Sequence, residues 1–129
     1  MAFLFQGLRV YQQALAFADE IATLTTAFPR ASRHVGDQLN RASLSIALNI
    51  AESTGRVTDS DRRRFLIIAR GSVHECAALL DMCERRKLLD AQHAELVEQL
   101  TTISKMLSGM MDRYSGADSV REEGEEYST

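Results

Sequence analysis

The densest positive feature of the sequence is a run of three arginines at positions 62–64, with Arg56 just before it and Arg41 further upstream. Guanidinium groups bind phosphate oxygens through paired, charge-assisted hydrogen bonds, so arginines brought together could bind nucleic acid. Consecutive helical residues fan around the helix, however, and Asp59 and Asp61 stand close by as ion-pair partners. A solvated helix start is therefore the simpler alternative. The candidate nucleic-acid contacts are Arg41, Arg56, Arg62, Arg63 and Arg64.

A second set of polar residues recurs at steps of three and four, which places its members along one face of a helix. Its members are Arg41, Ser45, Asn49, Glu52 and Arg56. On the next helix, Ser72 and Glu75 share a face. Spacing alone leaves two interpretations open. One is a solvated surface with local pairs such as Glu52–Arg56, and the other is a hydrogen-bonded network between helices or across a subunit boundary.

The sequence lacks the residue pairs that a metal centre in a helical bundle needs. A carboxylate-bridged di-metal centre in a helical bundle needs Glu-x-x-His pairs on inward faces. The three histidines are His34, His74 and His93, and the residues three positions before them are Ala31, Gly71 and Asp90. We therefore predict neither a metal site nor a cofactor.

The cysteines and glycines also form no catalytic or phosphate-binding motif. Cys76 and Cys83 are seven residues apart on one helix, about 10 Å along its axis. A disulfide requires Cα atoms within about 7 Å, so we expect reduced cysteines that pack as small apolar side chains. Gly55 and Gly71 are isolated and begin no phosphate-binding loop, and mid-helix Gly71 suggests a close helix approach. The chain is predicted to be no enzyme.

Charge is unevenly distributed along the 129 residues, whose formal net charge is −3. Residues 30–87 carry 11 basic and 7 acidic side chains, whereas residues 118–129 carry one arginine and five acids. No apolar run is long enough to span a bilayer, and the short apolar start lacks a basic flank. We expect a cytoplasmic protein without a membrane partner, with residues 116–129 as an acidic, mobile tail.

One proline, seven glycines and a helical hydrophobic periodicity favour long helices over an all-β fold. The predicted helices run from about Leu8 to Phe28, Val35 to Thr54, Thr58 to Lys87 and Asp90 to Tyr114. Thr58 and Asp61 have capping-box spacing, and Asp90 is a plausible N-cap. The predicted class is all-α: an antiparallel up-down-up-down four-helix bundle over residues 1–115.

Each predicted helix has an inner face. On the first these residues are Val10, Ala14, Phe17, Ile21, Leu24 and Phe28, and on the second Leu39, Ala42, Ser43, Ile46 and Ile50. On the third they are Phe65, Ile68, Ala69, Cys76, Leu79, Leu80 and Cys83. On the fourth, Leu96, Leu100, Ile103, Leu107, Met110 and Tyr114 follow the alternating steps of a heptad seam.

Several motifs resemble a known family. Residues 43–52 read Ser-Leu-Ser-Ile-Ala-Leu-Asn-Ile-Ala-Glu, residues 69–72 read Ala-Arg-Gly-Ser, and Phe28-Pro29 precedes both. Over residues 5 to about 114, this sequence closely resembles the four-helix-bundle 23S rRNA intervening-sequence proteins. That family is similar in fold to the accessory variability determinant of diversity-generating retroelements, a basic homopentamer that binds nucleic acid and a reverse transcriptase.

The resemblance implies a non-enzymatic homo-oligomer, with a homopentamer as the expected form, that binds RNA or DNA and has a reverse transcriptase or another protein as a candidate partner. A protein-interaction module without a nucleic-acid role is the alternative. The resemblance also favours a structural or subunit-interface network over a solvated surface. The residues of that expected network are Asn49, Glu52, Arg56, Arg70, Ser72 and Glu75.

Overall fold

The predicted four-helix bundle is confirmed by the computed structural model, which describes residues 3–115. Its helices are α1 (Arg9–Thr25), α2 (Arg33–Thr54), α3 (Asp59–Arg85) and α4 (His93–Arg113). Short 3-10 turns at Leu4–Gly7 and Arg30–Ser32 precede α1 and α2. Each helix packs against the next, and α4 packs against α1, so the bundle closes in antiparallel order. The acidic segment 116–129 lies outside the described residues.

The first helix ends earlier than predicted, at Thr25 rather than Phe28. The Thr25 hydroxyl donates to the Ile21 carbonyl at 2.9 Å, and the Thr26 hydroxyl donates to the Thr23 carbonyl at 2.7 Å. Threonine hydroxyls that bind the preceding turn compete with helix propagation, and Pro29 disfavours helical geometry in the residue before it. The chain therefore leaves α1 before the proline is reached.

The connection between α3 and α4 also differs from the prediction. Lys87 has φ = 60°, and the Leu88 amide donates to the Cys83 carbonyl at 2.9 Å, which is the Schellman closure of a helix. Asp90 is not the N-cap of α4, because its amide is bound by the Gln92 side chain at 2.7 Å and the helix begins at His93. At α3, by contrast, the Thr58 hydroxyl accepts the Asp61 amide at 3.1 Å, which is one half of the predicted capping box. The Asp61 carboxylate instead pairs with Arg64.

The core follows the predicted inner faces on α1, α2 and α4, and on α3 four of the seven predicted residues are buried: Ala69, Cys76, Leu80 and Cys83. The other three are not. Ile68 is 42% exposed, and Phe65 and Leu79 are half-buried. The buried residues follow a strict alternation of three and four, and the centre of this stripe lies about 110° around the helix from Ile68. The buried apolar residues of α3 are Leu66, Ala69, Val73, Cys76, Leu80 and Cys83.

The contact between α2 and α3 is the most extensive in the bundle. Small buried residues on both helices allow this close packing. They are Ala42 and Ser53 on α2, and Ala69, Ser72 and Cys76 on α3. Gly71 does not contribute, because a Cβ there would meet no atom within 4 Å. The close glycine approach is instead at Gly36, where a Cβ would lie 3.2 Å from the Phe28 ring.

Antiparallel order sets which helix ends meet. The N-termini of α1 and α3 lie at the same end as the C-termini of α2 and α4. We call it the basic end, after Arg9, Arg56, Arg62, Arg64 and Arg113, which lie there. The Arg62 guanidinium lies 5.7 Å from the centre of the Tyr114 ring, and this contact links α3 to the C-cap residue of α4. The Leu4–Gly7 turn contacts α1 and α2 at this end. Within residues 3–115, no helix is long and apolar enough to cross a membrane.

Candidate functional site

A hydrogen-bonded pair of serines crosses the outer edge of the α2–α3 contact. The Ser45 and Ser72 hydroxyls lie 2.9 Å apart. Asn49, one turn further along α2, donates its amide to the Ser45 hydroxyl at 3.0 Å and to the Ser45 carbonyl at 2.8 Å. Asn49 and Ser72 of the expected network are thus connected through Ser45, and the three side chains fix the register of the two helices.

A second link lies nearer the start of α2. The Gln38 amide donates to the Glu75 carboxylate at 2.7 Å, and Arg41 donates to the Gln38 amide oxygen at 3.4 Å. Glu75 is therefore tied to α2 through a residue that the sequence pattern did not single out. Helical spacing could have identified Gln38, because it precedes Arg41 by three residues and Ser45 by seven.

Arg70 does not join this arrangement. Two residues along a helix correspond to about 200° of rotation, which places Arg70 on the side of α3 away from Ser72. Its carbonyl accepts from His74 Nδ1 at 2.9 Å, and its side chain is half-buried.

An aromatic ring organises the arginines at the turn between α2 and α3. The guanidinium of Arg56 lies 4.3 Å from the centre of the Phe65 ring, and that of Arg64 lies 4.7 Å from it. Both distances lie within cation–π range. Arg62, about 200° around α3 from Arg64, lies over Tyr114 instead. We call the three arginines at this end of the bundle, Arg56, Arg62 and Arg64, the arginine cluster.

Each member of the arginine cluster also has a carboxylate partner close by in sequence. Glu52 lies 3.3 Å from Arg56, and the nearest carboxylate oxygens of Asp59 and Asp61 lie 2.8 Å and 3.3 Å from Arg62 and Arg64. Exposed pairs of this kind add little stability, but they restrict where a long side chain points. The net charge of the arginine cluster together with its three carboxylate partners is therefore close to zero, and the arginine side chains are held in defined directions.

The other two predicted arginines lie elsewhere. Arg63 is buried, with 6% of its surface exposed, because it follows Arg62 by about 100° around the helix. Arg41 is exposed on α2, but it stands about 22 Å along the helix axis from Arg56. The structure therefore brings together two of the five candidates, Arg56 and Arg64, around Phe65, which the sequence pattern assigned to the core. Arg62 lies at the same end of α3 but over Tyr114.

The two cysteines are free and buried, as the sequence predicts. Burial raises the pKa of the Cys76 thiol to about 12, with a smaller contribution from the Glu75 carboxylate, and burial also raises the pKa of Cys83. Both thiols stay protonated and unreactive at neutral pH. Among residues 3–115, no three His, Cys, Asp or Glu side chains are grouped so that they could hold a metal ion.

Comparison with known proteins gives a family match and a structural match. The sequence model of the 23S rRNA-intervening sequence protein family matches residues 6–109. A solved structure described as a protein with unknown function from the S23 ribosomal protein family of Bacteroides thetaiotaomicron superposes with a TM-score of 0.74. It shares 24% sequence identity and covers 80% of this chain and 95% of its own, which supports the fold. A search of curated proteins finds no match.

Replacing Phe65 by Leu should lower the free energy of unfolding by about 1–2 kcal/mol, because two cation–π contacts are lost while much of the apolar volume remains. Phe65→Tyr, which keeps the ring, serves as the control and should stay close to wild type. Urea denaturation monitored by circular dichroism measures both. Equal stability of Phe65→Leu and the wild type would contradict the role of the ring in holding Arg56 and Arg64.

The native thiols should resist a disulfide reagent at pH 8 and react when urea unfolds the chain. The raised folded-state pKa values also predict a pH dependence. Stability from the protonated thiols is present below pH 9, the ordinary pKa, and declines as pH rises toward about 12. Labelling of the Cys76→Ala variant measures the reaction of Cys83 alone, and comparison with the wild type then gives the rate for Cys76. Fast labelling of the native protein would show that the cysteines are accessible.

Proposed function

We propose that this chain, which belongs to the 23S rRNA-intervening sequence protein family, is a non-enzymatic homo-oligomeric scaffold that binds RNA or DNA through its arginine cluster. The descriptions of the family and of the structural neighbour name no enzymatic activity. Because the family is described by 23S rRNA intervening sequences, RNA is the first nucleic acid to test.

The observation that carries the proposal is the convergence of the Arg56 and Arg64 guanidinium groups on the single ring of Phe65, with Arg62 over Tyr114 at the same end of the bundle. A guanidinium has five N–H donors, and one carboxylate oxygen engages a fraction of them. Stacking on an aromatic ring leaves the guanidinium edge available to oxygen acceptors. Arg56 Nε is moreover buried without a hydrogen-bond partner among the described residues, so a nearby phosphate oxygen could satisfy an unused donor after a small side-chain movement.

A single arginine cluster paired with Glu52, Asp59 and Asp61 would bind a phosphate backbone weakly. Several copies on one assembly act together, because the second and later contacts become intramolecular. Cyclic symmetry would place one cluster per subunit around a common axis. Self-association is thus the step that converts a weak site into a binding surface.

The outer surface of α2 and α3 supplies a candidate subunit contact. Helical geometry turns this surface away from α1 and α4, and the Ser45–Ser72 pair lies at its centre. Large apolar side chains are exposed on both helices, and together they form a patch of the kind that proteins bury against a partner. They are Leu44 and Leu48 on α2, and Ile68 on α3. We assign this patch to a second copy of the chain.

Light scattering tests the subunit contact directly. The wild type should have a mass that is a multiple of 14.4 kDa, and a homopentamer is the expected assembly. Leu48→Glu should shift the mass toward the monomer, because it would bury an unpaired charge in the contact. Val57→Glu, at an exposed position of the α2–α3 turn, is the matched control. A monomeric wild type would refute self-association.

Nucleic-acid binding is tested by fluorescence anisotropy with a labelled RNA at a series of salt concentrations. Affinity should fall as salt rises, and replacing all three cluster arginines by Gln should weaken binding about tenfold or more. The control replaces Arg30, Arg33 and Arg85 by Gln at the opposite end of the bundle, with the same change in charge. An equal loss in both variants, or no binding by the wild type at low salt, would contradict the proposed site.

A protein-interaction module without a nucleic-acid role is the second candidate. The local pairing of each cluster arginine with a carboxylate favours it, because paired guanidinium groups attract a polyanion less strongly. The exposed apolar patch would then bind another protein, for which a reverse transcriptase is one candidate. Absence of RNA and DNA binding, together with a monomeric chain, would favour this function over the scaffold.

A further inference from the structure

The N-terminal residues display aromatic rings to solvent in a fixed conformation. The Phe3 amide donates to the Gln6 side chain at 2.7 Å, and the Gln6 amide donates to the Phe3 carbonyl at 3.1 Å. Gln12 on α1 donates to the Gln6 carbonyl at 2.9 Å, which fastens this turn to the first helix. Reciprocal bonds of this kind hold the backbone in place while the side chains remain outside the core.

Two phenylalanines of this turn form what we call the aromatic pair: Phe3 and Phe5. Their rings stack with centroids 5.6 Å apart and planes inclined by 12°. Phe5 also meets the edge of Tyr11, with centroids 4.9 Å apart. Phe3 nevertheless remains 69% exposed. A large apolar ring that is fixed, stacked on one side and open on the other is costly in water unless another group covers it.

The aromatic pair lies at the basic end of the bundle, with the arginine cluster. The Leu4–Gly7 turn contacts α2 near its C-terminus, and Arg56 follows that terminus directly. Packed helices lie about 8–10 Å apart, so a ligand that extends over two helix ends can touch both features. Arg9 and Arg113 add positive charge on the α1 and α4 sides of this end.

Aromatic rings beside guanidinium groups form the combination that recognises unpaired nucleotides. Bases that are free of a duplex stack on aromatic side chains, while the phosphates that link them contact arginine. A duplex keeps its bases stacked on each other and offers mainly its phosphates to such a surface. A surface with both features therefore distinguishes single strands from duplexes, whereas arginines alone do not.

We propose that Phe3 and Phe5 form a stacking platform for unpaired bases of a single-stranded nucleic acid whose phosphates lie against Arg56, Arg62 and Arg64. This inference rests on the proposed nucleic-acid role and specifies its substrate class. Phe3 supplies the open ring face, and Phe5 together with Tyr11 holds that ring in place.

The experiment compares a labelled single-stranded RNA with the duplex of the same sequence, at one low salt concentration. The wild type should prefer the single strand. Phe3→Ala should weaken single-strand binding at least about fivefold, in line with the loss of one stacked base, and leave duplex binding unchanged. Leu4→Ala is the matched control, because Leu4 is equally exposed on the same turn but has no ring, and its effect should stay within about twofold.

A spectroscopic readout comes from Phe3→Trp. The chain contains no tryptophan, so this variant carries a single indole at the proposed platform. Stacking on a base should quench its fluorescence when the single strand is added, and the duplex should quench it much less. Thermal unfolding followed by circular dichroism checks that each variant keeps the fold, which is expected because Phe3 lies outside the core.

The outcomes separate this inference from the function on which it rests. If the wild type binds both nucleic acids, but Phe3→Ala weakens them equally or not at all and the indole of Phe3→Trp is not quenched, the platform is refuted and the arginine site stands. If no nucleic acid binds, both proposals fall. If Phe3→Ala instead changes the mass of the assembly in solution, the aromatic pair is a subunit contact and the platform is overturned.

Discussion

Close packing of α2 against α3 is the constraint on which the rest of the structure depends. Alanines, serines and a cysteine line the contact from both sides, and the Ser45–Ser72 pair closes its outer edge. Two antiparallel helices packed this closely need a short connection, and residues 55–58 provide it. That turn places Arg56 and Phe65 on facing helix ends, where their side chains meet. The arginine cluster is therefore a consequence of helix packing and connection length.

The same contact divides polar from apolar residues on the outer surface. Serine and asparagine satisfy one another close to the helix contact, so their polar groups are not left exposed to a partner. The larger apolar side chains then point outward from the two helices. Hydrogen-bonded polar groups next to exposed aliphatic ones are typical of subunit interfaces, because the former fix the surface and the latter are buried on association.

The four helices and most core residues could be predicted from sequence, because an apolar stripe at helical spacing has few alternative structures. Predictions failed where a single side chain determines which face of a helix is buried or where a helix begins. Ile68 satisfies the helical pattern but lies about 110° from the centre of the buried stripe, and α4 begins at His93 rather than after Asp90. Arg62, Arg63 and Arg64 show why a charge run does not define a surface: their neighbours in three dimensions, not their order, decide which guanidinium groups converge. The stack of Phe65 with Arg56 and Arg64 could not be foreseen, since it depends on the path of the turn.

We propose that one end of the bundle, rather than its sides, contacts single-stranded nucleic acid. Amide hydrogen exchange, measured with and without a short single-stranded RNA, tests it along the whole chain at once. Slower exchange is expected in residues 3–11 and 55–65, with little change in the opposite end around residues 26–33 and 85–93. Slower exchange confined to the sides of α3 and α4, or no change anywhere while RNA is bound, would contradict it.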